Sequence, residues 1–237
     1  MRTVAEHIPI ITTIFAILFF REIYAHYRSK PGRKYLLWWC IGVFTYGIGT
    51  FTESLNALFG WSEWNFRFWY ISGALLGGFP LAQGSVHLLM SERFSRYSGI
   101  VVVSLIGVAS VFILLSPIQL PEGFDGRLTG SVLGWKWVRT FSPFINLYAF
   151  LFLFGGAVYS AVLYARQGRR DARYKGNILI AIGALLPGIG GTFTRFGYVE
   201  VLYVTELIGL LLIYSGYRVI KTDSSWSVHA NQLPEAA

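Results

Sequence analysis

Residues 97–117 read YSGIVVVSLIGVASVFILLSP, a run with no charged side chain. It is long enough to cross a bilayer as a helix, which takes about 20 mostly apolar residues. Moving the same window outward along the 237-residue chain gives six further runs, approximately 8–27, 35–58, 67–90, 141–165, 174–194 and 198–220. The composition agrees: 54% of residues are hydrophobic and 14% charged, against a usual charged share of about 25%. The sequence thus predicts an all-α integral membrane protein of seven transmembrane helices. In the first run Phe20 leads straight into Arg21-Glu22 without a small-residue cleavage site, so it reads as a retained span rather than a leader.

The loops between runs carry the charge. Arg21, Arg28, Lys30, Arg33, Lys34, Arg93, Arg96, Arg166, Arg169, Arg170, Arg173, Lys175, Arg218 and Lys221 collect on one side, fourteen of the twenty basic residues. The other side holds Arg2, Arg67, Arg127, Lys136, Arg139 and Arg195. Positive residues favour the cytoplasm, which places the N-terminus outside and the C-terminus inside. Trp38 and Trp39 then fall at an inner boundary, and Trp61, Trp64, Trp69, Trp135 and Trp137 at outer ones. Basic residues spread through short loops fit topology better than nucleic-acid binding, although the net charge is +8. The transmembrane domain is expected over 1–221, with a short polar cytoplasmic tail at 222–237 that leaves no room for an output domain. Compact loops and the lack of a targeting segment fit a bacterial inner membrane. The one long connection, 118–140, lies outside and is a candidate lid.

An internal repeat is visible. The second run contains Gly47-Ile48-Gly49-Thr50-Phe51-Thr52-Glu53, and the sixth contains Gly188-Ile189-Gly190-Gly191-Thr192-Phe193-Thr194-Arg195. Laying the third run on the seventh as well yields a 3+1+3 parallel repeat: repeat one about 8–90, a linker helix about 97–117 and repeat two about 141–220. Two triplets in the same orientation imply a pseudo-two-fold axis along the membrane normal. This plan resembles the SWEET and PQ-loop solute transporters, and seven spans with an outside N-terminus also resemble the rhodopsins. The first and fifth runs lack a Pro-Gln pair and the seventh lacks a lysine for a retinal Schiff base. The resemblance is one of architecture; it implies a central site between triplets and assigns no residue roles.

Polar groups inside apolar runs are costly and mark candidate sites. Gly42, Tyr46, Gly49, Glu53 and Asn56 share one face of the second run, and Ala184, Gly188, Gly191 and Arg195 one face of the sixth, both expected to point into the bundle. Glu53 and Arg195 occupy matching repeat positions, either as a salt bridge or as opposed walls of a pocket. Glu206 lies eight residues into the seventh run and needs a partner or a proton; Arg195, Arg67 and Asn146 are candidates, and Tyr203 shares its face. The predicted ligand set is therefore Glu53, Asn56, Arg67, Arg195, Tyr203 and Glu206. Gly73, Gly77 and Pro80 in the third run and Pro187, Gly188 and Gly191 in the sixth are candidate helix breaks or packing points.

A lone cysteine, Cys40, excludes an intramolecular disulfide. The chain shows no HExxH, no Gly-rich phosphate loop and no nucleophile-base set, and its aspartates Asp125, Asp171 and Asp223 fall in loops. A non-catalytic protein without metal or cofactor is expected, a haem clamped by His26 and His87 being the alternative. The leading expectation is binding and translocation of a small-molecule solute through a central, outward-facing cavity. The alternative is a receptor or accessory subunit acting through a membrane protein partner or as a homo-oligomer.

Overall fold

The computed structural model describes residues 4–194 and 196–223, and these are helical with no strand among them. After a short turn at Val4–His7 come α1 (Ile8–Ser29), α2 (Lys34–Phe59), α3 (Glu63–Trp69) and α4 (Phe79–Leu89). They are followed by α5 (Glu92–Leu115), α6 (Phe141–Ala149), α7 (Gly155–Arg166), α8 (Ala172–Thr194) and α9 (Val199–Lys221). A π-helical turn at Tyr70–Leu75 follows α3, and another at Phe150–Phe154 joins α6 to α7.

Among the described residues five segments are long and apolar enough to cross a membrane: Ala5–Ser29, Glu92–Leu115, Lys136–Arg166, Ala172–Thr194 and Val199–Lys221. Their outward faces are apolar too. On α1, Ile11, Ile14, Ile17 and Leu18 are more than half exposed while Thr12, Thr13, Ala16, Phe19 and Ile23 are buried. A helix apolar on its outer face belongs in lipid rather than water. By contrast α2, 26 residues long, mixes glycines, threonines and Glu53 among its apolar residues. It packs against α1, α3 and α4 and buries Thr45, Thr50, Thr52, Glu53 and Ser54. Its polar side chains are among those it buries, whereas Phe44, Phe51 and Leu58 of the same helix are about half exposed, so its polarity reflects position in the bundle.

Local sequence sets several helix ends. The hydroxyls of Ser62 and Ser91 accept from the N–H groups of Asn65 and Phe94 at the starts of α3 and α5, and positive-φ glycines follow α1 and α2 at Gly32 and Gly60. Asp171 caps α8 by accepting from the N–H groups of Arg173 and Tyr174. Burial pushes its carboxyl up, but the N–H of Tyr174 and the Arg169 guanidinium outweigh this and hold it below the ordinary aspartate value.

The most extensive packing is α8 on α9, and glycine makes it possible. A Cβ on Gly183 would lie 2.6 Å from the Gly209 carbonyl oxygen, and one on Gly176 would lie 2.8 Å from that of Gly216. Gly176, Gly183 and Gly190, seven residues apart, form the seam with Gly209 and Gly216. This corrects the predicted inward face of the sixth run. Gly188 is exposed, and a Cβ on Gly188 or Gly191 would meet nothing among the described residues. Pro187, expected to open a break with them, lies inside an uninterrupted α8, its ring accommodated at Gly209.

The break at 73–80 does occur, in a different form. Leu76–Gly78 is non-helical, and Pro80 sits in the first turn of α4, where its missing N–H costs no helical bond. The Ala74 carbonyl freed by the break accepts from Ser142 (2.9 Å) and Asn146 (3.3 Å). Gly73 lies against Gly49 of α2, and the N–H of Gly77 bonds the Gly73 carbonyl. The segments paired by the sequence repeat therefore differ in form: α9 and α1 are α-helical throughout, whereas the counterpart of α9 is interrupted at 76–78 and that of α1 contains a π-helical turn at 150–154.

Candidate functional site

Helices α1 and α9 run in the same direction. Their C-terminal halves are tied by Glu22, which accepts from Tyr214 (2.7 Å), Arg218 (3.1 Å) and Lys221 (3.0 Å). At the other end, where both begin, a cavity of about 360 Å³ opens. Glu6 before α1, Asn56 and Ala57 near the end of α2, Trp61, the turn Asp125–Arg127, and Val199, Glu200 and Tyr203 of α9 line it.

The connection 118–140 is held as part of this end. Leu128, Val132, Leu133 and Val138 are buried, and Ile118 pairs with Leu133 in an isolated antiparallel bridge. Gly126 takes a positive φ of 79°, and its carbonyl accepts from the Asn56 side-chain amide at 3.1 Å. Arg127 meets Asp125 (2.9 Å) and Glu200 (3.2 Å) and donates to the Gly197 carbonyl (2.8 Å). The rim is thereby an ion cluster linking the connection to the start of α9.

Glu53 and Glu206 lie behind the lining. Glu53 precedes Asn56 by three residues in α2, and Glu206 follows Tyr203 by three in α9. Each is thus about 4.5 Å deeper than the lining residue on its own helix. Glu53 is 2% exposed, and its Oε1 accepts from the Trp69 indole N–H at 2.9 Å. The Tyr46 hydroxyl donates to the backbone carbonyl of Glu206 at 2.9 Å, fastening α2 to α9 at this level. The two carboxyl groups are within hydrogen-bonding reach of one another. Ionised carboxylates only accept, so a hydrogen bond between them carries a proton. The Oε2 atoms of both, and Oδ1 of Asn56, are buried, and apart from the proton that the two carboxyl groups can share no donor among the described residues reaches them.

Of the predicted ligand residues, Glu53, Asn56, Tyr203 and Glu206 come together. Arg67 does not join them: it is 5% exposed and donates to the carbonyls of Ile113 and Ser116 (2.9 Å) at the end of α5 while pairing with Glu63 at 2.6 Å. Asn146 is likewise engaged at Ala74. Arg195 lies outside the described residues. His26 Nδ1 meets the Tyr217 hydroxyl at 2.9 Å, and the His87 ring stacks on Trp38, so each imidazole of the haem alternative has its own partner.

Reading single runs missed Glu6, Trp61, Asp125, Arg127 and Glu200, because they border the cavity from turns and helix starts rather than from apolar spans. The Asp125-Gly126 turn was the available signal. No protein-family model matches this chain, and no curated protein matches it significantly.

Proposed function

We propose that this protein crosses the membrane seven times, with its N-terminus outside, and that it binds and translocates a small solute without catalysing a reaction. One observation carries the reading: a cavity opens at the end of the bundle where α1 and α9 begin, with the buried carboxyl of Glu53 and the carboxyl of Glu206 about one turn behind its wall. Small-molecule sites are commonly cavities of about 300–1,000 Å³, and acids inside membrane helices commonly mark solute or proton paths. The non-helical stretch 76–78, with its carbonyl bonds to side chains of α6, supplies a point about which α3 and α4 can pivot. The excess of basic residues in alternate loops supports the cytoplasmic placement of the opposite end, in keeping with a bacterial inner membrane.

Native mass spectrometry of the gently purified protein tests this. A stoichiometric small molecule that is lost in Glu206→Gln supports the solute site; retention of lipid alone overturns it.

A second reading, a receptor or accessory subunit, is favoured by Gly188 and Gly191. A Cβ on either meets nothing among the described residues, and small residues facing outward from a membrane helix allow close approach of another helix. A protein partner retained in the same spectra, and lost in Gly188→Leu, supports that reading instead.

A further inference from the structure

We propose that the groove between α1 and α2 holds one anionic phospholipid, with an acyl chain in the groove and the phosphodiester at Arg21 and Arg28. The site lies on the outer surface of the bundle and is independent of the cavity where α1 and α9 begin.

The groove has a volume of about 240 Å³. Ala16 and Gly47 form its floor, where the helices come so close that a Cβ on Gly47 would lie 3.3 Å from that of Ala16. Phe20 and the half-exposed Ile17, Phe44 and Phe51 stand around them. The hydroxyl of Thr13, which also borders the groove, is engaged by the Pro9 carbonyl (2.8 Å) and the Thr50 hydroxyl (3.0 Å). The groove therefore offers an occupant apolar contact. Since α1 is long and apolar enough to cross a membrane, that occupant is drawn from the bilayer.

Charge at one end of the groove selects the lipid. Ile17, Arg21, Tyr24 and Arg28 follow at steps of four, three and four residues and so share one face of α1. Arg21, Tyr24 and Arg28 are exposed, and among the described residues no ion pair engages either arginine. Neighbouring carboxylates are held elsewhere, Glu22 by Tyr214, Arg218 and Lys221, and Glu92 by Lys34. A guanidinium on the lipid side of a membrane helix is costly without a partner, and phosphate is the partner that a bilayer supplies. Ring contacts join the two parts, running from Phe44 to Phe20 (5.5 Å), on to Tyr24 (5.8 Å) and then Tyr27 (6.5 Å). Ile17 to Arg28 is about 16 Å along the helix, close to half of the about 30 Å hydrocarbon core. Two cations beside one phosphodiester favour a lipid of net negative charge, whereas a zwitterionic headgroup brings an ammonium to the same place.

The experiment is native mass spectrometry of the full-length protein in detergent. It is titrated with equal amounts of phosphatidylglycerol and phosphatidylcholine carrying the same acyl chains, and separately with glycerol phosphate. The first lipid retained is expected to be phosphatidylglycerol, preferred about tenfold. Arg21→Gln combined with Arg28→Gln is expected to bring the preference near parity. Ile48→Trp, which sets an indole in the groove wall, is expected to lower binding of both lipids; the arginine variant, at exposed positions, serves if Ile48→Trp fails to fold. Arg166→Gln with Arg170→Gln, also exposed, is expected to keep the parent preference. Equal loss in that pair overturns the assignment to this groove, because the basic loops as a whole would then be the attractant. Equal binding of the two lipids overturns the anionic headgroup, and glycerol phosphate bound as tightly as phosphatidylglycerol overturns the acyl-chain site. A dimer without lipid that Ile48→Trp dissociates overturns the proposal in favour of an interface between two copies of the chain.

Discussion

At the scale of single residues, buried polar groups in this bundle divide into those that complete the fold and those left with unmatched capacity. Arg67 belongs to the first kind. Its donors close the end of α5 at Ile113 and Ser116 and hold Glu63, in place of the Glu206 contact its position in sequence allowed. Glu53 belongs to both, because one oxygen serves the Trp69 N–H and the other has no donor beyond a proton shared with Glu206. Two substitutions separate these roles. Glu53→Gln keeps an acceptor for Trp69 and gives Glu206 a donor, so thermal unfolding in detergent is expected near that of the parent. Glu53→Ala strands the Trp69 N–H and leaves a void, and is expected to cost about 2 kcal/mol. Equal losses in the two variants would show that the Trp69 hydrogen bond is not what the carboxyl contributes to the fold.

At the scale of elements, the pairing of α8 with α9 depends on which glycines are in the seam. Hydropathy places both helices, but it does not say which side of a glycine-rich helix meets its neighbour, because glycines occur on both sides. The repeat led to Gly188 and Gly191; packing selects Gly176, Gly183 and Gly190. The break near Pro80 was legible because glycines and a proline concentrate there, whereas the π turn at Phe150–Phe154 has neither and arises within a run of Phe and Leu. Glu53, Asn56, Tyr203 and Glu206 were legible as polar residues inside apolar runs. Their neighbours on turns were not, since nothing in a run-by-run reading brings residues 6, 125 and 200 together. The seam makes a direct prediction. Gly183→Ala is expected to destabilise by about 1–3 kcal/mol, since the new methyl meets the Gly209 backbone at 2.6 Å. Gly188→Ala meets open space and is expected to be neutral or to stabilise by about 0.5–1 kcal/mol through helix propensity. Thermal unfolding of the two variants side by side checks this, and a greater loss at Gly188 would mean that the seam lies on the other face.

At the scale of the whole molecule, the position of the cavity relative to the membrane depends on whether α2 and the broken segment from α3 to α4 are crossings. Neither is among the five described segments long and apolar enough to cross, yet α2 packs beside α1, and α3 and α4 pack on α2. Counting all seven alternates the connections between the two faces; counting five leaves residues 33, 64 and 93 on one face. Trp64, 67% exposed, is therefore the deciding position. The only cysteine, Cys40, is buried, so the native chain is a suitable background for single cysteines at the exposed positions Arg33, Trp64, Arg93, Glu122 and Gln167. In intact cells a membrane-impermeant maleimide is expected to label Trp64→Cys and Glu122→Cys. Arg33→Cys, Arg93→Cys and Gln167→Cys are expected to react after the membrane is opened. If Trp64→Cys follows Arg33→Cys and Arg93→Cys, α2 and the α3–α4 segment do not cross. The starts of α1 and α9 and the turn 125–127 would stay on the outer face while the end of α2 lay on the other, so the lining of the cavity, which needs all of them together, could not assemble and a solute entering from outside would have no site there.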